Sequence, residues 1–232
     1  MWQDGGVSDF PPATRHELEG WCLFWAALRP RPGAAAALAA LRREVATRAR
    51  ASHTLERLPQ HPTVAALRRL YRQAGCDPTR YRPSSEALLR RLLKGEELPE
   101  IHPLVDLNNC LSAELAVPAC VMDVRYLSPP FVFRAGRAGE AYQSLRGPFN
   151  LEGKPLLVDE QGPCDTPITG GVRVKVRDDS HDVWLVAYMP AAVVSPACAR
   201  QALAMLLEEA PVAELVAQGA TGDSGETSPH RS

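Results

Sequence analysis

Between Ile101 and Asp123 the sequence reads IHPLVDLNNCLSAELAVPACVMD, and no other stretch restricts the fold as much. His102-Pro103 opens it, and Pro is tolerated at a first helical position because its missing N–H has no partner to lose there. Leu104, Leu107, Leu111 and Leu115 follow at helical spacing, so one face of the helix is buried. Pro118 ends it, because the residue before a proline avoids the helical region. Ala119 to Val124 then reads as a strand. Asn108 lies on the apolar stripe, flanked by Asp106 and Asn109. A buried amide is costly unless it is hydrogen-bonded. Asn108 is therefore either a satisfied core amide or, with Asn109, a group aimed into a pocket.

The flanking pattern places this unit between helices and strands. Leu18 to Leu28, aromatic and apolar, reads as a buried strand. Ala34 to Ala51 is alanine-rich and proline-free, with Leu38, Leu41, Val45 and Ala49 on one face, which predicts a helix. Pro62 to Ala74 predicts a second, with Gly75 as its C-cap, and Ser84 to Lys94 a third, capped by Ser84 and ended by Gly95. Asp77, Arg80, Tyr81 and Arg82 form either a hydrogen-bonded corner or a phosphate contact, and Asp106 is expected to pair with Arg80 or Arg82. Strands are predicted over 131–134, 141–145, 156–159, 172–176 and 183–188, and a helix over 196–209. Residues 1–16 read as flexible and 218–232 as a disordered tail. Helices before and after a run of strands make the class α+β. Residues 17–217 form one domain, with a helix-rich front over 33–95 and a core over 100–210.

Composition excludes more than it selects. No apolar run reaches the length of a membrane span, and the N-terminal MWQDGGVSDF lacks the basic start and apolar core of a secretory leader. The six cysteines are scattered, with no C-x-x-C and no Cys/His pair at zinc spacing, so reduced thiols, a cytoplasmic location and no metal are expected. No phosphate loop or dinucleotide fingerprint is present, and no cofactor is expected. The net charge of −1 hides an asymmetry: residues 29–94 carry fifteen Lys/Arg against four acids. Either a polyanion meets this front or the arginines cover solvated helix faces. His53, His61 and His230 read as solvent residues.

Four segments in order resemble a known family. VDLNNCLSAELAVPACVMD (105–123) is similar to the start of the B3/B4 domain of the phenylalanyl-tRNA synthetase β subunit, which reads N-P-L-V-D-x-x-N, a helix, then L-P-x-x-x-x-D. It is more similar still to free-standing bacterial proteins built from that domain alone. RPSSEALLRRLLKG (82–95) resembles their lead-in helix. FRAGRAGEAYQSLRG (133–147) resembles a strand, a G-E turn and the return strand. LLVDEQGPCDTPITGG (156–171) resembles a strand followed by D-E-x-G-P and a Gly-Gly loop. The resemblance covers about residues 80 to 190. It implies a central mixed or antiparallel sheet packed with helices, here with an Arg-rich helical extension.

It also implies an editing module that hydrolyses the ester of a wrong amino acid on tRNA. Such a reaction needs a shaped pocket, a positioned water and donors for the developing oxyanion. Residue by residue, the family's Thr-Asn pair falls at Asn108-Asn109. Its pocket histidine is replaced by Cys120 and its pocket glutamate by Val186, while the Gly-Gly loop persists as Gly170-Gly171. The pocket candidates are His102, Asn108, Asn109, Cys120, Asp165, Thr166, Thr169, Gly170 and Gly171. The loop 165–171 either holds an acyl oxygen or a phosphate, through the Thr166 hydroxyl and the Gly170 and Gly171 N–H groups, or serves a turn through Asp165 and its glycines. Cys120 is a nucleophile only if His102 or His181 lies near it, and is otherwise inert packing. Arg42, Arg43, Arg68, Arg69, Arg90 and Arg91 are the candidates for tRNA phosphates. The expected function is a stand-alone hydrolase of mischarged aminoacyl-tRNA. The alternative is a non-catalytic module for an amino-acid-like small molecule or for RNA.

Overall fold

A computed structural model describes residues 14–222. The central element is β9 (Val183–Pro190), buried along its whole length. A strand covered on both faces must be apolar on both, and VWLVAYMP is. β9 pairs antiparallel with β2 (Trp21–Pro30) and with β3 (Ala119–Asp123), and β2 pairs with β10 (Ala213–Gly222), giving the order β10-β2-β9-β3. A second sheet orders β1 (Arg15–His16), β4 (Val132–Ala135), β7 (Pro155–Asp159) and β8 (Gly162–Asp165) as β1-β4-β7-β8, with β1 parallel to β4. β5 (Ala141–Ser144) and β6 (Gly147–Asn150) form a separate hairpin.

Two cores follow from the period of two along β2 and β9. Phe24, Ala26, Leu28, Leu185 and Ala187 face a helical layer of α1 (Ala35–Ser52), α3 (Ser84–Leu93), α4 (Pro103–Leu115) and α5 (Pro196–Glu209). Trp21, Leu23, Trp184, Val186 and Tyr188 face Phe131, Phe133, Leu157 and Cys164 of the second sheet region, with Leu67, Leu70 and Tyr71 of α2 (Pro62–Gln73). The α+β class is as the sequence predicts, and the antiparallel central sheet is of the kind the resemblance implies.

α5 has its predicted bounds, and its N-cap Ser195 accepts from Cys198 N. α4 ends before Pro118: Ala116 takes a left-handed φ of 55°, and Ser112 Oγ donates to Val117 O at 2.8 Å. Ser84 does not cap α3; Pro83 holds the cap position, and Ser84 N donates to Pro167 O. Residues 172–176 form no strand. Val172 N bonds Gln143 O, Asp123 N bonds Val174 O, and Arg173 folds back to Asp159, so no single neighbour receives a ladder. Arg15–His16, read as flexible, pair with β4, and the tail read as disordered from Gln218 continues β10 to Gly222. There Gly219 is a packing requirement, since a Cβ would sit 2.8 Å from the Trp25 ring. The rest of both termini, His230 included, lies outside the described residues.

Candidate functional site

The arginines of the helical front are tied up by acids. Arg42 bonds Asp106 (2.7 Å) and Glu100 (2.6 Å), which corrects the expected Asp106 pairing with Arg80 or Arg82. Arg48 meets Glu114, Arg50 meets Glu97 and Arg91 meets Glu96. Glu86, fully buried, accepts from Arg68 and Arg90 and lies 3.4 Å from Arg82. Burial lifts the Glu86 carboxyl, but Arg68 and Arg90 hold it below the usual range. Of the six phosphate candidates, Arg42, Arg68, Arg90 and Arg91 are therefore neutralised in place. Arg43 and Arg69 are exposed with no carboxylate partner among the described residues. Asp77 serves a corner, accepting from Thr79 N at 2.8 Å.

The pocket candidates fall into two groups divided by β3. On the helical side, His102 caps α4, its Nδ1 accepting from Leu104 N at 3.3 Å. Asn108 donates to Ala119 O at 3.1 Å and leaves its own Oδ1 buried without a partner. Asn109 is half-buried on the next face of α4. Ala119 packs on this side, whereas Cys120 faces the other core. The strand thus runs between the asparagine pair and the 165–171 loop, and they are not opposite walls of one hollow.

On the other side Cys120 lies directly opposite Val186 in the β3–β9 register. The two positions read as replacements for the pocket histidine and glutamate are thus true neighbours. Tyr188, two residues on and on the same face, donates to Asp165 Oδ2. Asp165 is 0% exposed, and its Oδ1 has no hydrogen bond of good geometry. Oδ1 lies 3.7 Å from where a Gly170 Cβ would sit, and so does Cys120 Sγ; Leu145 Cδ1 is 3.3 Å away. A methyl at Gly170 would therefore touch all three, so the loop packs closely over Asp165 and Cys120. Burial pushes the Asp165 carboxyl up to about 7, against the pull of Tyr188, Cys120 and the Thr166 backbone. Burial also pushes the Cys120 thiol well above its ordinary range, so it stays protonated and is no nucleophile.

The loop itself is held rigidly. Thr166 Oγ1 donates to Thr169 O and accepts from Ile168 N and Thr169 N, so this hydroxyl shapes a turn. Tyr142 also donates to Thr169 O. Pro167 O accepts from Tyr71 OH and Ser84 N, which pins the loop to α2 and α3. Gly170 and Gly171 bridge to Asp165 and Ser144, so their backbone serves the docking of the β5–β6 hairpin. Hollows of about 780, 420 and 290 Å³ open elsewhere and are lined by none of the nine candidates. Tyr188, which the sequence reading missed, was findable: period-two alternation from Val186 puts it on the same face.

The B3/4 domain family matches residues 66–204, more than half of the chain. The chain belongs to the B3/4 domain family. A search among curated proteins returns no match. One similar solved structure is an N-terminal fragment of the phenylalanyl-tRNA synthetase β subunit from Pyrococcus horikoshii. It shares 16% identity and a TM-score of 0.41, over 54% of this chain and 48% of that one. The chain spans about half the length of that fragment. Among the described residues no three metal-ligating side chains converge, and no helix is long and apolar enough to cross a membrane.

Proposed function

We propose that this B3/4 protein is an editing-type hydrolase of aminoacyl esters on tRNA, with Asp165 as its general base. The observation that carries this reading is the asymmetry of that carboxylate. Tyr188 holds Oδ2, while Oδ1, buried without a hydrogen bond of good geometry, faces the Cys120 thiol and Gly170 at the family's pocket position. A base works best when its pKa lies near the working pH, and Asp165 sits near 7. Oδ1 takes a proton from a water whose oxygen bonds to the acyl carbon. The ester C–O bond then breaks, and the ribose oxygen leaves with the proton returned by Asp165. Leu145, 58% exposed at the hairpin tip, stands over Gly170 and is displaced as the acyl end enters.

A panel of mischarged tRNAs tests the reading. Turnover of at least one ester above the uncatalysed rate, lost by about 100-fold or more in Asp165→Asn, supports it. A second reading is favoured by the apolar floor, since Val186 is 2% exposed and Cys120 is inert. In it the same site binds an amino-acid-like ligand without turnover. Saturable binding of free amino acids by a protein that cleaves no ester would favour that reading.

A further inference from the structure

The larger hollow, about 780 Å³, lies in the connection from α1 to α2, and the 420 Å³ hollow adjoins it, sharing Arg50, His53, Thr54 and Glu56. His53 and His61, read from sequence as solvent residues, are half-buried against each other, with ring centroids 4.9 Å apart at 84°. Neither imidazole has a hydrogen bond to another described residue, and His61 Nδ1 is buried without a partner. Burial lowers both below the usual histidine range, so at neutral pH each is uncharged and offers one N–H donor.

Arg57 lines the same hollow and has no carboxylate partner among the described residues, unlike Arg42, Arg48, Arg50, Arg68 and Arg90 of the helical front. Arg50 is committed to Leu92 O, Glu96 O and Glu97. Glu56 is the one acid in the lining. The wall thus holds one uncommitted guanidinium, two uncommitted imidazoles and the hydroxyls of Ser52 and Thr54. Guanidinium and neutral donors together match the oxygens of a phosphate group.

We propose that this hollow binds a phosphate-bearing ligand, with Arg57 supplying charge and the His53 and His61 rings supplying N–H donors. The site is separate from the Asp165 loop and does not depend on the hydrolase reading. A metal ion is the weaker occupant, since no third His, Cys, Asp or Glu joins the pair among the described residues.

Calorimetric titration of the full chain tests this with inorganic phosphate, a nucleoside 5′-monophosphate and the matching nucleoside. An RNA oligonucleotide without terminal phosphates is titrated in parallel. Saturable binding of phosphate and of the nucleotide, with none of the nucleoside, supports a free phosphate ligand. Binding of the oligonucleotide alone supports the same chemistry with a polymer as the source. In either case Arg57→Gln and His53→Gln weaken binding about tenfold or more, and Arg200→Gln, also without a carboxylate partner among the described residues but on α5 outside the hollow, does not. The His53 and His61 ring proton resonances shift on saturation. No saturation with any of these ligands, unchanged affinity in Arg57→Gln, or ring shifts caused by Zn²⁺ but not by phosphate would overturn the proposal.

Discussion

Asp165 has two unlike oxygens, one held by Tyr188 and one left facing Gly170 and Cys120. A carboxyl raised to about 7 by burial holds its proton more tightly folded than unfolded, where about 3.9 is usual. Native stability therefore falls as pH rises from about 4 to about 7, and the cost persists above that. Asp165→Asn removes it. The variant is expected to gain about 2–4 kcal/mol over the native protein at pH 8 and little near pH 4, measured by urea midpoints. Equal loss at both pH values would mean that the carboxylate is structural. The two glycines above it separate site from scaffold. Gly170→Ala puts a methyl 3.7 Å from both Asp165 Oδ1 and Cys120 Sγ, at a φ that alanine tolerates. It is expected to abolish most ester turnover with a stability change under about 1 kcal/mol. Gly171→Ala drives its methyl to 2.4 Å from Cys164 O and should destabilise by about 2 kcal/mol or more in the same melts.

At the scale of elements, α2 and α3 position the loop by sharing the Pro167 carbonyl, and Glu86 of α3 joins them through Arg68 of α2, with Arg90 one turn on in α3 sharing the carboxylate. Glu86→Ala leaves guanidinium groups around an uncompensated buried point. A loss of about 3–5 kcal/mol is expected in urea unfolding, with faster amide exchange over residues 165–171. A loss below about 1 kcal/mol would show that α2 and α3 are held by apolar contact alone. These helices were legible because leucine spacing and Gly75 and Gly95 mark them directly. β10 was not, because AELVAQGATG has a loop's composition and becomes a strand only on the edge of β2. Val172 to Val176 misled in the opposite sense: its alternation is a strand's, yet Arg173 is taken by Asp159 and Tyr126 O. Local pattern decides where one neighbour supplies all the partners, and fails where tertiary contacts divide them.

For the whole molecule, one sheet between two cores explains both the success and the error of the site reading. Cys120 and the glycine loop do meet, because β3 turns its even-numbered residue toward the second core. His102 and the asparagine pair do not join them, because α4 belongs to the helical layer across the strand. Sequence gives the residues of a site but not which side of an edge strand each faces. The basic front is balanced by acids from Glu96 to Glu114 that charge counting placed in another region. The central claim is that Asp165 is a working base. It is tested most directly by single-turnover deacylation of the best mischarged substrate as a function of pH. The rate should rise with pH and level off near 7, and the low rate of Asp165→Asn should show no such step. A rate of the same size and pH dependence in Asp165→Asn would contradict the account.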